Sequence, residues 1–112
     1  MRHYSLEGAP ERPVSHDPEL KKRVLLDEPV SCVKKISHIV LEQGATASAH
    51  THEGSSEIFY CVSGAITFSV MGERVLLRRG HLLVVEPGEE HAIVEVSAGS
   101  EMVYLMVDSA TG

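Results

Sequence analysis

Gly44-Ala45-Thr46-Ala47-Ser48-Ala49-His50-Thr51-His52-Glu53-Gly54-Ser55-Ser56-Glu57-Ile58-Phe59-Tyr60-Cys61-Val62-Ser63-Gly64 sets two strand-like runs around a polar turn. Side chains alternate across an extended chain, so His50 and His52 leave the same face. The Glu53-Gly54-Ser55-Ser56 turn reverses the direction, and Glu57 opens the next run close to both imidazoles. If Glu57 points inward, Phe59 and Cys61 do too, while Ile58, Tyr60 and Val62 face the other way.

The same texture extends downstream. Runs rich in Val, Ile, Leu, Phe and Tyr cover 31–41, 47–52, 57–62, 65–70, 74–78, 82–85, 92–96 and 102–107. Turn residues punctuate them, including Ser63-Gly64, Met71-Gly72-Glu73, Glu86-Pro87-Gly88 and Ser97-Ala98-Gly99-Ser100. No helical periodicity is sustained after Val30. Eight short strands must close or stack to hide their edges, and a double-sheet jelly roll does so around one core. The first 29 residues differ: they hold four of the five prolines and many charges. They read as an extended arm, with a helical turn near Pro18–Arg23 and a strand near Val24–Asp27. Residues 30–112 form the single β domain.

A chain of 112 residues is long enough for one core without disulfides or a structural metal. The net charge of −6 argues against nucleic acid and anionic membranes, which need clustered Lys and Arg. The basic runs Lys21-Lys22-Arg23, Lys34-Lys35 and Arg78-Arg79 read as solvated surface. No apolar run is long enough to span a bilayer as a helix, and the amino terminus lacks a secretory pattern, so a cytoplasmic location is expected. Cys32 and Cys61 fit neither a disulfide framework nor a zinc motif.

A third imidazole, His91, follows the Pro87-Gly88 turn at the head of a later strand. Two histidines at spacing two serve equally well as surface residues. With Glu57 and His91 added, however, three imidazoles and a carboxylate suit one divalent transition ion: Mn, Fe, Co, Ni, Cu or Zn. Four protein ligands on an ion that prefers six leave positions open for water, dioxygen or a substrate.

These positions resemble the motifs of the cupin superfamily. The first motif is met in full by Gly44, His50, His52, Glu57 and Gly64. Gly80, Gly88 and His91 fit the second, with Pro87 in the variable place, Glu86 where the family has proline and Glu95 where it has asparagine. The resemblance runs from Gly44 to Glu95. It implies an all-β, double-stranded β-helix (jelly-roll) cupin barrel with an internal metal held by His50, His52, Glu57 and His91.

Alternation from these ligands predicts an apolar pocket lined by Phe59, Cys61, Phe68, Ile93 and Met106. The opposite face of the same strands is also apolar, so it should be covered by the arm, by a second copy in a homodimer, or by both. Candidates for a catalytic group are His38, Tyr104 and Cys61, although a strand position without a catalytic role is the favoured reading of His38 and packing that of Cys61. His3, His16 and His81 read as surface residues. The expected function is a metalloenzyme acting on a small organic molecule. Dioxygenase-like oxidoreductase chemistry is favoured over isomerase or lyase chemistry, because no obvious extra base accompanies the ligands. The alternative is a cupin that binds or senses a small ligand without turnover, using the metal as an anchor.

Overall fold

The computed structural model describes residues 1–109. It contains β1 (Glu11–Val14), β2 (Asp17–Leu26), β3 (Val33–Leu41), β4 (Ala47–His50), β5 (Ser55–Val70), β6 (Glu73–Arg78), β7 (Leu82–Val85) and β8 (His91–Asp108). All pairings between these strands are antiparallel.

Two long strands organise the fold. The carboxyl half of β8 lies between β3 and the amino half of β5, which also pairs with β7. The amino half of β8 lies between β4 and the carboxyl half of β5, which continues to β6. One layer therefore runs β1-β2-β3-β8-β5-β7 and the other β4-β8-β5-β6, and β5 and β8 cross from layer to layer. This is the jelly-roll barrel that the hydrophobic texture predicts.

The sequence suggested separate strands where the structure has β5 and β8. Ser63-Gly64 and Ser97–Ser100 read as turns, but they are the corners where one strand changes layer. The β5–β8 register shifts repeatedly around Cys61, Ser63 and Ala65, which bends the pair without breaking it. Gly64 makes the close crossing possible. Its φ is 90°, and a Cβ there would lie 2.7 Å from the Gly99 carbonyl oxygen and collide with the Ser100 side chain. Ser100 Oγ fastens the corner, accepting from Ala65 N at 3.0 Å and donating to the Ala98 carbonyl at 2.7 Å. The Met71-Gly72 turn is a tight hairpin as expected. Val70 pairs with Glu73, and both turn residues have positive φ.

The amino-terminal segment departs from expectation. It contains no helical turn, and it is joined to the barrel rather than forming a free arm: β1 and β2 make a hairpin that lengthens one layer through β3. The reason lies in alternation. Leu20, Lys22 and Val24 share one face of β2 and are partly or fully buried, while the intervening Lys21 and Arg23 are exposed. The charges that suggested an irregular arm occupy the solvent side of a strand. Pro13 lies on the outer strand of the hairpin, where a missing backbone donor costs least.

Between the layers lies the core. Phe59, Phe68, Ile66, Leu41, Leu77, Val85, Val96, Ile93 and Met102 are buried there. The outer face of the β3-β8-β5-β7 layer is also apolar. Strand registers place Val84, Ile58, Leu105 and Ile36 in one cross-strand row and Leu82, Tyr60, Val103 and His38 in the next. The β1–β2 hairpin extends the layer sideways and leaves this face open, with Tyr60 42% and Leu82 58% exposed. Among the described residues no helix is long and apolar enough to cross a membrane.

Candidate metal centre

Four side chains from both layers converge at one end of the space between them. Glu57 comes from β5, His50 from β4, His91 from the start of β8, and His52 from the loop after β4. One ligand atom from each lies within 4.8 Å of every other. Glu57 Oε1 is 2.8 Å from His91 Nε2, 3.0 Å from His52 Nε2 and 3.7 Å from His50 Nε2. Glu57 and His91 are buried, whereas His50 and His52 are half-buried at the opening.

The hydrogen-bond pattern tests whether a cation fits. Nδ1 of His50 faces the Ser48 carbonyl at 3.0 Å, and Nδ1 of His91 faces the Glu89 carbonyl at 3.0 Å. A carbonyl only accepts, so both Nδ1 atoms carry the proton and both Nε2 atoms turn toward Glu57. A neutral imidazole in that state aims a lone pair at a carboxylate oxygen. That is repulsive unless a proton or a metal cation lies between them. Three imidazoles around one carboxylate oxygen are therefore arranged for a positive charge at their centre, and the donor set suits a transition ion.

The electrostatics agree. Burial pushes the Glu57 carboxyl up, but the His50 and His91 contacts outweigh it and hold the group down at about 2. His50 is raised above the ordinary imidazole value, chiefly by Glu57. His52 is lowered, chiefly by burial.

Local structure holds the ligands in place. β4 pairs with β8 through Ala47–Ile93 and His50–His91, with the register broken between them. A second anchor comes from β2, where the buried Asp17 carboxylate accepts from Ser48 N at 2.9 Å and from Ser48 Oγ at 2.7 Å. Ser48 is the residue whose carbonyl orients His50. No signal in the sequence marked Asp17, because its segment read as an arm.

The cluster opens on a cavity of about 250 Å³. Phe59, Phe68, Ile93 and Met106 line it, as alternation predicts. Cys61 does not. It faces inward in register with Glu57 and Phe59, but it is fully buried in the core beyond the cavity, with its Sγ 3.3 Å from the Ser63 carbonyl. Burial raises its thiol pKa, the opposite of what a reactive thiol needs. His38 is also misplaced by the expectation. Its neighbours Ser37 and Ile39 line the cavity, so His38 points to the outer face, where Nε2 pairs with Glu101. Tyr104 alone of the three catalytic candidates lines the cavity, stacked on Phe59 with ring centroids 5.6 Å apart. Burial, helped by the Glu57 charge, pushes its hydroxyl pKa up to about 12.

Several cavity residues escaped the sequence reading, among them His16, Lys22 and Ser37. His16, taken for a surface residue, is exposed at the rim with its ring centroid 4.9 Å from that of His50. Lys22 and Ser37 also line the cavity. The period-two pattern of β2 contained the signal for Lys22, but proline and charge content concealed the strand.

Comparison with known proteins agrees with this geometry. Residues 37–108 match the cupin domain family. An oxalate-binding protein from Thermotoga maritima is 31% identical over 67 residues, 60% of this chain and 54% of that protein, so the match spans about half the relative's length. Among solved structures, one described as a predicted oxalate decarboxylase from Thermotoga maritima superposes with a TM-score of 0.80 at 19% identity, covering 96% of this chain and all of the other. KdgF from a Halomonas species gives 0.79 at 19% identity, covering 98% and 96%. An RmlC-like cupin from Shewanella frigidimarina gives 0.76 at 21% identity, covering 97% and 93%. At such identities the superpositions establish the fold alone. With both motifs in register and 72 of 112 residues matched, the chain belongs to the cupin family.

Proposed function

We propose that this cupin is a metal-dependent oxidoreductase of the dioxygenase kind, acting on a small organic molecule that presents oxygen atoms to the four-ligand cluster. A divalent transition ion held by His50, His52, Glu57 and His91 would supply Lewis-acid polarisation and, if it were Fe or Mn, redox chemistry with dioxygen. The observation that carries this reading is what else faces the cavity. Beyond the ligands and His16 at the exposed rim, its inward polar groups are hydrogen-bond donors rather than bases. Tyr104 keeps its proton, since its pKa is pushed to about 12, and Lys22 presents an ammonium group. Isomerases and lyases that shuttle protons need a base within hydrogen-bond reach of the substrate, and the two other candidates, His38 and Cys61, do not reach the cavity.

The chain's own residues bind, orient and exclude. Phe59, Phe68, Ile93 and Met106 form apolar walls that displace water from the ligand and strengthen polar contacts inside. Asp17 and Ser48 fix the strand that carries His50.

A second reading is non-catalytic binding, and it is supported by the relative named for binding oxalate. Dioxygen consumption separates the two. Protein purified without added metal and analysed for its elements is loaded with Fe(II) or Mn(II) and offered catechols and 1,3-diketones. Dioxygen uptake that depends on both metal and substrate supports the oxidoreductase. Tight binding with no uptake across such a panel replaces it with the binding protein.

A further inference from the structure

The chain is acidic overall, yet three of its four lysines, Lys22, Lys34 and Lys35, line this one cavity. The only carboxylate among the lining residues is Glu57, which already faces three imidazoles. Lys35 is 3.7 Å from Asp27, but among the described residues Lys22 has no acidic partner within ion-pair distance. Its ammonium lies 6.0 Å above the centre of the Tyr104 ring. The Lys22 pKa is lowered, first by burial and then by Lys35, so an anion here would relieve both.

A second observation points to the same place. Ser37 is 1% exposed, lines the cavity, and has the one buried side-chain oxygen without a hydrogen-bond partner among the described residues. It sits beside Tyr104, which it faces across the β3–β8 pair, but no hydrogen bond of acceptable geometry joins the two hydroxyls. A buried hydroxyl with nothing to bond costs stability unless a ligand completes it. Lys22, Ser37 and Tyr104 thus gather one cation and two hydroxyls at the wall away from the metal cluster. The Phe59 ring borders both ends: its centroid is 5.6 Å from that of the Tyr104 ring and 6.0 Å from that of the His91 ring.

We propose that the cavity is built for a small organic diacid, with one end at the four-ligand cluster and the second carboxylate held by Lys22, Ser37 and Tyr104. This rests on the metal-centred reading of the site and names its ligand class. A cavity of about 250 Å³ lies just under the usual range for ligand sites, about 300–1,000 Å³, and so excludes large molecules. The Phe59 ring beside both polar ends favours a diacid with a carbon spacer, which oxalate lacks.

The test uses metal-loaded protein, with metal content verified, and calorimetric binding of three acids that share a 2-oxo acid end. Pyruvate is short, 2-oxohexanoate is longer with an apolar tail, and 2-oxoglutarate carries a second carboxylate. The proposal expects 2-oxoglutarate to bind at least about tenfold more tightly than either monoacid, the scale of a buried charge-assisted contact. Lys22→Met should abolish that preference while leaving the affinity for pyruvate within twofold. Ser37→Ala, which removes a group that is unpaired without ligand, should keep or raise the melting temperature of ligand-free protein and weaken only the diacid, by several-fold. Equal binding of all three acids, binding of none, or an undiminished diacid preference in Lys22→Met would overturn the proposal and leave the metal site standing. Absence of metal after loading would instead remove the reading on which the proposal rests.

Discussion

The two faces of the β3-β8-β5-β7 layer make opposite use of the same strands. On the inner side, alternate residues bring Glu57, Tyr104, Ser37 and Lys22 to an otherwise apolar cavity. On the outer side, the intervening residues form apolar rows through Tyr60, Leu82, Val84 and Val103, open to solvent in the single chain. A few polar groups join the apolar inner side, and apolar groups also face out, where ordinary alternation in a half-solvated sheet would place polar ones. Inward charges carry a desolvation cost that a bound ion and ligand would offset. For the outward apolar rows we propose a second copy of the chain as the cover.

Substitutions on the two sides should therefore fail in different ways. On the inner side, His91→Ala should cost the most, lowering metal affinity by more than the roughly 100-fold typical of losing a supporting group, as read by competition with a chelator. Its fold should survive, because the core around Phe68 and Ile66 does not include the cluster. Retained metal would break the comparison at its stronger end.

Acid should act on the same side. The Glu57 carboxyl is held down at about 2, so it stays ionised as pH falls, and His50, raised above the usual value, takes up a proton first. Metal should then be lost through protonation of imidazoles as pH drops below about 6. In metal-free protein, the depressed Glu57 pKa gives stability that is present above the unfolded value of about 4.3 and lost as pH falls towards 2. A melting-temperature series at falling pH, with and without metal, should show these two windows apart. One shared window would contradict the assignment.

Asp17→Ala is the next smaller effect. Freeing Ser48 loosens the strand behind His50, and metal affinity should fall about tenfold with no ligand removed. On the outer side, Leu82→Lys should leave metal affinity unchanged and shift the sedimentation of the wild-type assembly toward monomer. If the wild type is already a monomer at micromolar concentration, the outer rows need another explanation.

What the sequence revealed follows from the range of its signals. The spacing of Gly44, His50, His52, Glu57, Gly64 and His91 is local, and alternation carried it directly to Phe59, Phe68, Ile93 and Met106. Long-range effects were harder to read. Ser63-Gly64 and Gly99-Ser100 looked like chain reversals because only the folded chain shows β5 and β8 crossing there. Alternation correctly turned Cys61 inward, but only the folded chain shows that core packing encloses it beyond the cavity. His38 was offered as a cavity residue, whereas Ser37 and Ile39 have that role: the phase of β3 is set by its pairing with β8, which no neighbour in sequence reveals. Lys22 and Asp17 lay in a segment whose prolines and charges concealed a strand.

The central claim is that three imidazoles and one carboxylate share one transition ion. X-ray absorption at the metal edge of the protein as purified tests it directly. The account predicts a nitrogen and oxygen shell at about 2.0–2.2 Å with the outer scattering pattern of imidazoles, diminished in His91→Ala. A shell dominated by sulfur, or one without imidazole scattering, would contradict it.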